Sequence, residues 1–190
     1  MDKLLACAKA FENLTHTEYK IVLGRKGEKI ELRIRFLSSQ FHHLMGLVKL
    51  RDLEVANQNR FKVFTDIINN KLTYAKISTS EFISQIEDRF IPLANIEKIL
   101  DNNNLVFRYN EKINAFSFIQ ADFLLSTPLE SNDIYIFISK NEDNTYFCRS
   151  FFPKTNRDYT KGQIRYTLLY KEKINLKTGE TVVQYDKLRK

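Results

Sequence analysis

The segment EKIELRIRF, residues 28–36, alternates apolar and polar side chains without a break. In an extended chain Ile30, Leu32, Ile34 and Phe36 share one side, and Glu31, Arg33 and Arg35 share the other. The preceding EYKIVLG alternates too, and RKG between them is a turn, so the pattern predicts a β-hairpin with one wet face. A lone hairpin is marginal in water, so its apolar face needs a cover from elsewhere in the chain.

Candidate covers are present. Residues 3–14 carry apolar positions at helical spacing, broken by Lys9 and Glu12, and read as an amphipathic helix rather than a signal peptide. NQNRFKVFTDIINNKL predicts a second helix with Phe61, Phe64, Ile67 and Ile68 on one side. Ser80 is placed to cap EFISQIEDRF, and Pro92 to restart a helix through LANIEKIL. Near residue 104 the texture changes. NLVFRYN, AFSFIQ, DIYIFISK, TYFCRSFF, QIRYTLLYKEKI and TVVQYD read as strands, with KTGE turning between the last two. The expectation is one α+β unit over residues 1–190. N-terminal helices and the hairpin would pack on a curved antiparallel sheet, with a helical insertion at about 51–100.

The formal net charge is +7, and it is unevenly spread. Residues 140–190 hold 12 Lys and Arg against 6 Asp and Glu, while residues 1–139 hold 18 against 17. A field concentrated in the last quarter suits a polyanion. There is no run of 18 uncharged apolar residues, so no membrane partner is expected. Cys7 and Cys148 stand alone, which fits a reduced cytoplasmic chain without a disulfide.

Two segments carry candidate chemistry. In SSQFHHLMGLVKL, residues 38–50, a helix capped by Ser38 or Ser39 places Leu37, Phe41, Leu44, Met45 and Val48 on its core face. His43 then has apolar neighbours, with Gly46 leaving a gap beside it for a backbone or ligand to approach. Partial burial would hold His43 as a neutral base near pH 7; a core histidine satisfied by a hydrogen bond is the alternative. His42 and Lys49 face outward as candidate phosphate contacts. Adjacent helical histidines diverge, and no HExxH or cysteine pair completes a coordination set, so no metal or other cofactor is expected.

The second segment is CRSFFPKTNRDYTKGQIRYTLLY, residues 148–170. It interleaves Arg149, Lys154, Arg157, Lys161 and Arg165 with aromatic rings and with Ser150, Thr160 and Gln163. Guanidinium groups clamp phosphates and rings stack bases, so the segment suits RNA. Phe151, Tyr166 and Leu168 read instead as core. Metal-free RNA cleavage needs a base, a cation on the phosphorane and a positioning donor. Those roles fall to His43, to Arg149, and to Tyr159 or Thr160.

FHHLMGL after an amphipathic hairpin, then RSFFPKTNRDYTKGQ followed by LLYKEKINLKTGE, resemble in order and spacing the PBECR4 group of the barnase–EndoU–colicin E5/D–RelE superfamily. The resemblance implies a small metal-independent ribonuclease fold, encoded by phages or mobile elements as a toxin or effector. It carries the histidine before LMG onto His43, and the late polar residues onto Arg149, Ser150, Tyr159, Thr160 and Gln163. The expected substrate is tRNA, mRNA or rRNA, and an inhibitor protein is a plausible partner. The alternative is a catalytically silent regulator that binds nucleic acid or protein on the same scaffold.

Overall fold

Asp2 opens the first helix, α1 (Lys3–Leu14), by accepting from the Leu5 N–H at 3.0 Å, and Leu4, Cys7, Ala8, Phe11 and Leu14 form its buried face. The computed structural model describes residues 1–102, 104–113, 117–130 and 132–189. Strands β1 (Thr17–Arg25) and β2 (Glu28–Arg35) pair antiparallel through Lys26 and Gly27, whose φ angles of 48° and 84° are those of a tight hairpin turn. Leu32 and Ile34 are buried under α1 and its neighbours. On the wet face Arg33 and Arg35 close over Glu18, at 2.7 Å and 2.5 Å, and leave that carboxylate buried.

Residues 37–101 supply the other helices: α2 (Phe41–Met45), α3 (Arg60–Ile68), α4 (Tyr74–Ile77), α5 (Phe90–Ala94) and α6 (Ile96–Asp101), joined by single turns. None of the described helices is long and apolar enough to cross a membrane. Strands β3 (Leu105–Arg108), β4 (Phe123–Leu129), β5 (Asn132–Lys140), β6 (Tyr146–Pro153), β7 (Ile164–Asn175) and β8 (Thr181–Asp186) follow. The sheet order is β1-β2-β6-β5-β4-β3-β7-β8, and β1 also pairs with β7. Seven strands therefore form a ring, with β8 on the edge of β7. The ring closes between β2 and β6 through one parallel bridge, Ile34 to Tyr146, while the other pairings are antiparallel. The fold is mixed α and β, with N-terminal helices on a curved sheet as expected.

The sheet buries both faces in its middle. Phe123, Leu125, Ile136, Ile138, Cys148 and Phe151 join the helices in the main core. Phe107, Tyr109, Leu124, Tyr135 and Phe137 form a second cluster on the opposite face. At the far end, buried Lys171 of β7 donates to the carbonyls of Leu100 and Asn102 and so caps α6. Burial pulls its ammonium down to about 8.

Several expectations are corrected. Residues 37–50 do not form one helix, because Gly46 takes a left-handed φ of 83° and ends α2. The core face read from a continuous wheel therefore fails at its ends, where Leu37 and Val48 are exposed. Phe61 is exposed, and Val63 takes its place beside Phe64 and Ile67 in the core. In AFSFIQ, residues 115 and 116 lie outside the described residues, and Ser117–Gln120 are not strand.

Candidate active site

The histidine turn is built from both of its ends. Gln40, not Ser38 or Ser39, supplies the side-chain bond at its start, accepting from the Leu37 N–H at 3.2 Å. At its end Gly46 donates to the His43 carbonyl at 3.0 Å. A Cβ on Gly46 would lie 2.9 Å from Ile86 Cγ2 and 3.3 Å from Arg89 Nε, so glycine admits the segment carrying Arg89. Arg89 is buried and donates from Nη1 to the Leu44 carbonyl at 2.8 Å, a guanidinium cap on a helix C-terminus.

Within this short helix the two histidines separate. His42 is buried, with Nε2 2.7 Å from the Val55 carbonyl; because that partner only accepts, Nε2 carries the hydrogen. Its expected place among the phosphate contacts is corrected: it is a core histidine, and desolvation lowers its pKa. His43 opens into a cleft of about 260 Å³ with Ser39, Gln40, Arg60, Phe147, Cys148 and Arg149. Solvent reaches the ring, yet surrounding protein makes desolvation the first cause lowering its pKa. The charges of Arg89, Arg60 and Arg149 lower it further, and a hydrogen bond with the Arg149 backbone opposes them.

Arg149 reaches the cleft because β6 is bulged there. Ile138 pairs with Cys148 and Phe137 with Ser150, which leaves Arg149 as the extra residue. With only Tyr146 of β6 bridged to β2, α2 can pack against that strand. Arg60 comes from the opposite side as the first residue of α3, a helix set by Asn59, whose side chain accepts from the Lys62 N–H at 3.1 Å. The arginine ion pairs among the described residues are those of Arg33, Arg35, Arg108 and Arg189. Arg60 and Arg149 thus line the His43 cleft without an ion pair, while buried Arg89, with Asp88 beside it, adds its charge from outside the lining. Such a site repels itself until an anion enters.

Over residues 3–188 the chain matches the family model described as phage-Barnase-EndoU-ColicinE5/D-RelE like nuclease4. The chain belongs to this family, PBECR4. Searches among curated proteins and among solved structures found no match. Among the described residues of this PBECR4 chain, no group of three or more His, Cys, Asp or Glu side chains could hold a metal ion.

The structure brings His43 and Arg149 into one cleft, but not the rest of the expected set. Ser150 lies one residue beyond the bulge and does not line the cleft. Tyr159 packs edge-on against Tyr135, Phe137 and Phe152 at 5.4–5.7 Å in the second cluster, so its ring serves that core. The Thr160 hydroxyl is bound to Asp158 at 2.6 Å, and Lys154 pairs with Asp158 at 3.1 Å and Asp133 at 3.7 Å. Gln163 is buried, both of its amide atoms bind the Asn110 backbone, and it lines a pocket apart from His43 with Arg108 and Lys112. Lys49 donates to the Gln85 carbonyl at 3.1 Å, and Arg157 lies 5.7 Å from the centre of the Tyr159 ring. Lys161 is exposed, and Arg165 lines a separate depression with Leu105 and Tyr185. Sequence reasoning missed Arg60 and Arg89, which stand 17 and 46 positions from His43 and meet it only through the fold.

Proposed function

We propose that this PBECR4 chain is a metal-independent endoribonuclease of phage or mobile-element origin, with His43 as base and Arg149 as phosphate clamp. One observation carries the reading: a histidine with a lowered pKa opens into a cleft among guanidinium groups that have no carboxylate partner. His43, neutral at pH 7, takes the proton of a ribose 2′-hydroxyl. The 2′-oxygen bonds to phosphorus as the P–O5′ bond breaks, leaving a 2′,3′-cyclic phosphate and a 5′-hydroxyl. The leaving oxygen receives a proton from the His43 imidazolium or from water. Arg149, with Arg60 facing it, stabilises charge on the phosphorane. Ser150, Tyr159 and Thr160 support the strand and loop around Arg149. The substrate is a cytoplasmic RNA, whether tRNA, mRNA or rRNA, and a toxic activity of this kind calls for an inhibitor protein.

The silent-regulator reading draws on the same charges. What favours it is that His43 is the one residue lining the cleft whose ordinary pKa lies near neutrality. Cleavage of total RNA in EDTA separates the two readings. The nuclease cuts, and both His43→Ala and Arg149→Ala abolish cutting; a folded wild type that binds RNA and cuts none is the regulator.

A further inference from the structure

A second, wider pocket lies beside the histidine cleft. It encloses about 700 Å³ and shares Phe147 and Arg149 with that cleft. This volume is within the range of about 300–1,000 Å³ usual for small-ligand sites. We infer that this pocket is the subsite for an unpaired nucleotide next to the scissile phosphate, an inference that rests on the nuclease reading. A strand with its phosphate between His43 and Arg149 has this pocket as the adjoining space on the other side of Arg149.

The chemistry of the walls suits a nucleotide. Lys112, Lys140, Arg108 and Arg149 line the pocket with the carboxylates of Glu111 and Asp122. Asp122 answers only Arg108, at 3.5 Å, and spends its other oxygen on the Lys140 N–H at 2.9 Å. Among the described residues Lys112, Lys140 and Arg149 form no ion pair. The excess of positive charge faces the pocket, where a phosphodiester supplies the missing anion. An apolar plane is also at hand. Phe147 is half-buried and lines both cavities at their junction. A half-buried ring that shares the wall with Arg149 is a platform for a base.

The pocket is held open before any ligand arrives. Gln163 receives the Asn110 N–H at 2.8 Å and donates to the Asn110 carbonyl at 3.1 Å, fixing one wall to the start of β7. Ser139 donates to the Gln120 carbonyl at 3.2 Å and fixes another. A preformed pocket of this size suits an unstacked nucleotide, and the strand we infer is single-stranded.

The test uses the full chain with His43→Ala, which binds without cutting. It is titrated at one fixed salt concentration with a labelled short single-stranded RNA, with a nucleoside 3′-monophosphate and with inorganic phosphate. Adding Lys112→Ala with Lys140→Ala should weaken the RNA at least about tenfold, and adding Phe147→Ala, in the pocket wall, about fivefold. Both variants should leave inorganic phosphate unchanged, because it sits between Arg60 and Arg149. Weakening of the mononucleotide along with the RNA places the base itself in the pocket. RNA binding that both variants leave unchanged, while Arg60→Ala weakens it, overturns the subsite. The two readings fail separately. A wild type that cuts no RNA, with RNA affinity lost in the pocket variants, sinks the nuclease and keeps the subsite.

Discussion

The His43 cleft and the loop 154–163 are both basic, and they place their charge differently. In the loop Lys154 and the polar side chains around it are spent internally, while Arg157 and Lys161 form no ion pair among the described residues. Lys154 is held by Asp133 and Asp158, Asp158 also receives Tyr135 and Thr160, and Gln163 is committed to Asn110. In the cleft Arg60 and Arg149 stand beside one histidine and form no ion pair among the described residues. Both look basic in sequence, and the loop looks more so. Charge that is already paired has little left to offer a ligand, while unpaired charge around a titratable base is open to an anion.

The strongest way to break this contrast is at the cleft. His43→Ala should lower RNA cleavage by about 10²–10⁴-fold, as expected for removal of a general base. Arg149→Ala and Arg60→Ala should each cost about 10²–10³-fold in kcat, as for loss of a donor to a developing charge, with the fold unchanged by circular dichroism. Acidity sharpens the comparison. With its pKa lowered from 6.5, His43 is the neutral base across pH 7–8, so kcat/KM should be flat there. Below a pKa that itself lies under 6.5, kcat/KM should fall about tenfold per pH unit.

His42 separates stability from activity on the same helix. Its folded pKa lies below the unfolded value, so the native state binds fewer protons. Its contribution is present above pH about 6.5 and is lost as the pH falls toward the folded pKa. The urea midpoint should therefore drop between pH 7.5 and 5.5. His42→Ala should cost about 1–3 kcal/mol by leaving the Val55 carbonyl unpaired. The smallest effect belongs to the loop: Lys154→Ala should change cleavage by no more than about twofold, since its partners are already protein carboxylates.

What could be read in advance follows from how local each signal is. The 17–35 hairpin announces itself because one face is wet, so burial and polarity alternate along the chain. Strand β4 was missed because Phe123, Leu124 and Leu125 are buried on both faces of the sheet, and a doubly buried strand does not alternate. His43 was legible as a partly buried histidine, since its neighbours lie within one turn. Its separation from His42 was not, because the Val55 carbonyl, thirteen positions away, decides which ring is inside. In sequence Gly46 reads as a gap inside a helix, because the left-handed φ that ends α2 there is set by the approach of Ile86 and Arg89. Arg60 and Arg89 carry no local mark, and only the packing of α3 and of the segment before α5 against α2 makes them part of a site.

The most direct test sets the two basic regions against each other on one RNA in EDTA. Arg60→Ala with Arg149→Ala is compared with Lys154→Ala and Arg157→Ala, reading kcat/KM for cleavage. The account predicts that the cleft variant loses cleavage and the loop variant keeps it to within a few-fold. A loop variant as inactive as the cleft variant, or a folded wild type that leaves every RNA intact, would contradict it.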